Sequence, residues 1–148
     1  MKKILYLFLF FGLLNFSNAQ IGKGSEVEKP ITVGVVNKLS GFPHLVYYPK
    51  EDKNYYFLNF QNNEYPNITD IKSVDFYATP EELDYLYDFL MSCFEDKELH
   101  TIDVGDQTLV VKKTAMSIRI TVDFNEEPEP SGWTYLSKRQ LQRLFGKK

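Results

Sequence analysis

The most regular alternation in the chain runs from Met116 to Phe124, where Met116, Ile118, Ile120, Val122 and Phe124 alternate with Ser117, Arg119, Thr121 and Asp123. A period of two sends one set toward a core and the other toward water or a partner, which predicts a half-buried strand of an antiparallel sheet. A different period governs Leu83, Leu86, Tyr87, Leu90, Met91 and Phe94, which recur at three- and four-residue spacing, with Glu81, Asp84, Asp88, Ser92 and Glu95 opposite them. That is one apolar helical face. Its start is marked by Thr79 as N-cap, Pro80 at the first helical position and Glu82 three residues after the cap. Cys93 lies beside the apolar stripe and reads as a small, inert hydrophobe.

Shorter runs fill the rest. Ile31 to Val36, Leu45 to Tyr48, Tyr55 to Phe60 and Ile71 to Tyr77 are rich in Val, Ile, Tyr and Phe, and Gly41, Pro43, Pro49, Asn62, Asn63 and Pro66 punctuate them. Four strands are predicted. After the helix, Leu99 to Val104 and Thr108 to Lys112 flank Gly105 and Asp106, a pair suited to a tight hairpin. With the alternating segment they form a three-stranded meander. Asn125 to Gly132, with two prolines and three glutamates, predicts an exposed loop. A short closing helix is signalled by Ser137 and Gln140 as a capping box, Leu136 and Leu141 as a staple, and Gly146 as the stop. No internal repeat stands out at the usual periods. The expected fold is α+β: a mainly antiparallel sheet of about seven strands with two helices, in the order ββββ-α-βββ-α.

The first residues follow another logic. Met1, Lys2 and Lys3 precede the apolar run Ile4 to Leu14, and Ser17 and Ala19 stand at the −3 and −1 positions of a possible cut. This is the pattern of a cleavable secretory signal, residues 1–19. Spanning a bilayer takes roughly 20 apolar residues, and Asn15 and Asn18 interrupt the run earlier. Residues 20–29 form a polar, Gly-containing lead, and 30–148 a single α+β domain. The expected location is secreted or periplasmic, with no stable membrane span after cleavage; the alternative is an envelope protein retained by an uncleaved leader.

Composition narrows the chemistry. The 148 residues carry 17 Lys plus Arg and 20 Asp plus Glu. Loss of Lys2 and Lys3 with the leader leaves 15 basic and 20 acidic residues, a net charge of −5. Mild acidity disfavours nucleic acid or anionic membrane as a partner. A lone Cys93 forms no internal disulfide, so stability rests on the core. Of 23 aromatic residues, 18 remain after the leader.

Catalytic and metal signals are weak. His44 sits in the turn Gly41, Phe42, Pro43, and His100 near a strand start; neither falls in a motif that explains a nucleophile and base at that spacing. Asp103, Gly105 and Asp106 place carboxylates around a glycine, but a calcium loop needs further acidic positions. Glu126, Glu127 and Glu129 read as a solvated cluster. No metal and no cofactor are expected. Asn67, Ile68 and Thr69 spell a glycosylation acceptor that has meaning only in a eukaryotic secretory route.

Two features point to contact. Tyr47, Tyr48, Tyr55, Tyr56 and Phe57 occupy adjacent strand positions, and a small domain cannot hide both faces of such strands equally; exposed Tyr combines apolar area with a polar tip. Trp133 is expected to pin the last helix to the sheet, with a secondary role in contact. Lys138, Arg139, Arg143, Lys147 and Lys148 collect at the end of the chain, and Lys138 and Arg139 oppose the dipole of the last helix, which points to an acidic partner or to an ion pair with the preceding glutamate loop. The candidate binding residues are Tyr47, Tyr55, Tyr56, Trp133, Arg139 and Arg143. The expected function is a non-enzymatic binding module of the cell envelope whose partner is an envelope or extracellular protein or a glycan. The alternative is a small secreted hydrolase using a histidine and a carboxylate. The export step has a direct check: intact mass of the protein recovered from the envelope or medium is expected to correspond to a chain beginning at Gln20, and a mass that still includes Met1 to Ala19 rejects cleavage.

Overall fold

The computed structural model describes residues 28–124 and 132–147. The leader, most of the polar lead and the cluster Glu126, Glu127 and Glu129 lie outside the described residues. The order is β1 (Ile31–Val35), β2 (His44–Tyr48), β3 (Asn54–Gln61), β4 (Ile71–Ala78), α1 (Pro80–Ser92), β5 (Leu99–Val104), β6 (Gln107–Lys113), β7 (Ile118–Phe124), β8 (Gly132–Leu136) and α2 (Lys138–Leu144). Among the described residues the fold is α+β with two helices. Its strands form two antiparallel meanders of four, β1-β2-β3-β4 and β5-β6-β7-β8.

Eight strands in two sheets replace the expected seven or so in one. The additional strand, β8, begins at Gly132, the last residue of the segment expected to be a loop. Its inward positions are Gly132, Thr134 and Leu136, while the aromatic Trp133 and Tyr135 face outward, so hydrophobicity does not mark its buried side. The described residues are thus ββββα twice over, a repetition of architecture that no sequence period announces. Met116 also differs from expectation. It is 88% exposed in the turn before β7, where Thr114 both donates its amide to the Ser117 carbonyl at 2.7 Å and accepts or donates a hydroxyl bond with the Ser117 side chain at 2.7 Å.

Local chemistry explains where elements begin. Thr79 Oγ1 accepts the Glu82 amide at 3.2 Å while Glu82 Oε2 accepts the Thr79 amide at 2.8 Å, a reciprocal capping box. The Lys53 ammonium 2.7 Å away, together with the Thr79 amide, holds the Glu82 carboxyl below its ordinary range. Ser137 and Gln140 repeat the arrangement on α2, at 3.3 and 2.8 Å. The β5–β6 hairpin turns on Gly105 and Asp106. Gly105 has φ +60 and Asp106 does not enter the left-handed region, which fits a type II′ turn.

Both sheets turn their inner faces to one core. Leu45, Leu58, Phe60 and Val74 from the first sheet join Leu109, Val111, Ile118, Ile120 and Val122 from the second, with Leu83, Leu86 and Leu90 of α1 and Leu141 and Leu144 of α2. Cys93 is fully buried there, and burial pushes its thiol up. Removing buried methylenes from such a core costs about 2–5 kcal/mol per Leu→Ala. The helices are shared unequally. α2 follows the second sheet yet rests on β1 of the first, where Gly34 makes room for it: a Cβ there would lie 2.0 Å from the Arg143 carbonyl oxygen.

Between the sheets sits a buried asparagine. Asn62, with 0% exposure, donates from Nδ2 to Asp70 Oδ2 at 2.7 Å, and its Oδ1 accepts the backbone amides of Trp133 and Glu64, each at 3.1 Å. Its own amide donates to the Asp70 carbonyl at 2.7 Å, and the Asn63 amide donates to the Trp133 carbonyl at 2.9 Å. The end of β3 is thereby bonded to β8. Asn62→Ala strands a carboxylate oxygen and the Trp133 amide, so urea denaturation is expected to show a loss of about 2–3 kcal/mol. The exposed control Tyr85→Ala should stay within about 0.5 kcal/mol. Equal stability of the two variants would remove Asn62 from this role.

Candidate functional site

Strand alternation decides which aromatic rings reach the surface. On β3, Tyr56, Leu58 and Phe60 are buried, so Tyr55, Phe57, Asn59 and Gln61 occupy the opposite face. Register then aligns the neighbours. Tyr48, Tyr55 and Tyr77 stand in one row across β2, β3 and β4; Val46, Phe57 and Asp75 form the next, and His44, Asn59 and Ser73 the third. Three tyrosines therefore lie side by side on the outer face of the first sheet.

The rings form one patch. Tyr55 stacks on Tyr77 with centroids 4.5 Å apart and planes at 15°, and meets Phe57 edge-on at 4.4 Å. Tyr48 meets Phe57 edge-on at 5.8 Å. Tyr77 is 60% exposed. The Tyr55 hydroxyl donates to Asp75 Oδ2 at 2.6 Å. That bond, reinforced by partial burial and by the carboxylate's negative charge, pushes the Tyr55 phenol up to about 12. Neighbouring polar groups are also engaged. The Gly41 carbonyl at 2.8 Å places the His44 proton on Nδ1, leaving Nε2 to accept the Asn59 amide at 3.1 Å.

The candidate residues separate into four places. Tyr55 belongs to the outer patch. Tyr47 and Tyr56 are register partners on the inner face, their rings 5.4 Å apart. Tyr56 is 3% exposed, stacks on Phe76 at 5.5 Å and accepts the Asn54 side-chain amide through its hydroxyl at 3.2 Å. Trp133 does not pin α2 to a sheet. It lies on the outer face of the second sheet, edge-on to Tyr135 at 5.0 Å and 5.9 Å beneath the Arg119 guanidinium, because β8 holds it in the outward parity. Arg139 and Arg143 are exposed on α2 and line a groove beside β1.

Sequence reasoning passed over Tyr77 and Asp75 as contact residues. The signal was present: Val74, Phe76 and Ala78 alternate with Ser73, Asp75 and Tyr77, which marks the outward parity of β4. Chemistry at the histidines is local. His100 Nε2 donates to Asp96 Oδ1 at 2.8 Å, and His44 is held by Gly41 and Asn59, so neither is bonded to a hydroxyl or thiol among the described residues. No group of three or more potential metal ligands gathers among the described residues.

No family model matches the chain, and neither the curated proteins nor the solved structures contain a significant match.

The Tyr55 and Asp75 pair yields a test of the patch. Tyr55 has its proton affinity raised on folding, so the stability it contributes is complete below the ordinary phenol value of 10.0 and is lost as pH climbs through about 12. In an ultraviolet or NMR titration, with Tyr55→Phe identifying the resonance, Tyr55 is expected to be the last of the surface tyrosines to ionise. Asp75→Asn should bring it down toward 10.0. An unmoved midpoint would contradict the geometry.

Proposed function

We propose that this protein is an exported, non-catalytic binding module of the cell envelope that engages a protein partner through the outer face of its first sheet. The observation that carries the reading is the row Tyr48, Tyr55 and Tyr77 with Phe57 beside it, a surface that no other element covers among the described residues. Aromatic residues supply large contact area at small entropic cost and are enriched at the centres of protein interfaces. Here the rings already brace one another, so little freedom is lost when a partner arrives.

A protein suits this face better than a glycan. Sugar hydroxyls need free polar groups beside an open ring face. Here the Tyr55 hydroxyl and Asp75 are bonded to each other, both nitrogens of His44 are engaged, and Tyr55 is stacked on Tyr77. What remains is a ring surface whose polar tips are the Tyr48 and Tyr77 hydroxyls, an amphipathic composition that suits a protein contact. The leader pattern supports the envelope setting.

The test is capture from envelope extract with the exported protein, compared with the Tyr48→Ala/Tyr77→Ala double variant. Both side chains lie on the outer face, so the core stays intact. A protein retained by the natural chain should lose about tenfold or more in affinity for the variant. Identical recovery by the two, or binding confined to glycans on an array, overturns the reading.

A further inference from the structure

We infer that a second site, the groove between β1 and α2, receives an extended acidic segment of a partner protein as an added strand on the first sheet. Among the described residues β1 is the terminal strand of its sheet and pairs only with β2, so one edge of its backbone has no strand neighbour there. Edges of this kind are usually blunted by charge or proline. The sequence Ile31–Val35 contains neither, although Pro30 precedes it, and the one blunting device within it is a bulge between Thr32 and Gly34. The C-terminal turn of α2 packs against β1 at Gly34, and the groove that opens beside this contact, lined by both elements, has a volume of about 1330 Å³. An edge strand facing a helix across an open groove is the geometry in which extended peptides add to a sheet.

Charge selects the occupant. The groove is bordered by Lys38, Arg139, Arg143 and Lys147, on a chain with more acids than bases. Lys147 is bound to Asp84 at 2.7 Å, and nearby Lys138 to Glu95 at 3.1 Å. Arg139, Arg143 and Lys38 have no carboxylate within ion-pair reach among the described residues. Two like charges four residues apart on a short helix are mutually unfavourable, and carboxylates bridging them would remove that cost. For a strand that runs along α2 the spacing fits as well: residues four apart advance about 6 Å along a helix, while alternate residues of a strand, which share a face, are about 6.6 Å apart. An Asp or Glu at every second position of the added strand meets both guanidinium groups, with bidentate bonds available to each.

The experiment uses the exported protein and a displayed library of random seven-residue peptides. The expected result is enrichment of proline-free sequences with Asp or Glu two positions apart. Their binding should weaken about tenfold or more for Arg139→Glu/Arg143→Glu, with thermal stability little changed because neither arginine has a partner among the described residues. Peptide binding should slow hydrogen exchange at β1 amides, and it should persist in Tyr48→Ala/Tyr77→Ala, which separates this site from the aromatic face. Absence of acidic enrichment, equal binding by the charge-reversed variant, or protection away from β1 overturns the inference.

Discussion

Asn62 is the joint on which the two sheets depend. Each sheet has four strands and one apolar face, and a sheet of that size needs something to cover it. The two inner faces, with both helices, cover each other in one core, but dispersion and apolar burial are non-directional and would tolerate sliding of one sheet over the other. Direction comes from the buried amide. Its oxygen reads the Trp133 backbone and its nitrogen reads Asp70, so the end of β3 and the start of β8 have one relative position that satisfies every group. The stem of Lys72 passes against Gly132, where a Cβ would sit 2.5 Å from its Cγ, and the Gly105 turn abuts the Asp75 carbonyl in the same close manner. Small residues of the second sheet therefore meet β4 at two points.

Committing both inner faces to one another has a consequence at the surface. Tyr56, Phe60 and Phe76 fit within the core, but an alternating strand cannot turn every ring inward. The remainder collects on the outer faces, as Tyr48, Tyr55, Phe57 and Tyr77 on the first sheet and Trp133 and Tyr135 on the second. The outer rings are organised by the same cross-strand register that aligns the core. The Tyr55 bond to Asp75 then ties the centre of the first patch to its own sheet.

How much of this was legible depends on whether the information is local. α1 could be read because its cap, its proline and its period agree, and β7 because its alternation is unbroken. β8 could not, since Gly132 and Thr134 face inward while the large rings face out. The division into two sheets has no local signature either: nothing between Ala78 and Leu99 says whether the next strands extend the first sheet or begin another, and the answer rests on contacts between Asn62 and Trp133, far apart in sequence. At the site, the parity of Tyr55 was available from Asn59 and Gln61, whereas Tyr47 and Tyr56 could be assigned inward only through the register of β2 with β3. Arg139 and Arg143 were visible as unmatched cations, but the strand they accompany lies about a hundred residues earlier.

That last separation bears on how the fold is closed. Had α2 packed on its own sheet, the chain would be two ββββα units side by side, each free to lose its partner. Instead the carbonyls at the end of α2 rest on Gly34, Gly146 lies against the Val33 carbonyl, and Lys147 is bonded to Asp84 on α1. The final residues are thus built into the first half, and the C-terminal turn of α2 supports β1 from the inner side while the outer edge of that strand stays open. The exchange makes the first strand and the last helix a single structural unit, so the basic side chains of α2 belong to the first sheet in space although they belong to the second in sequence.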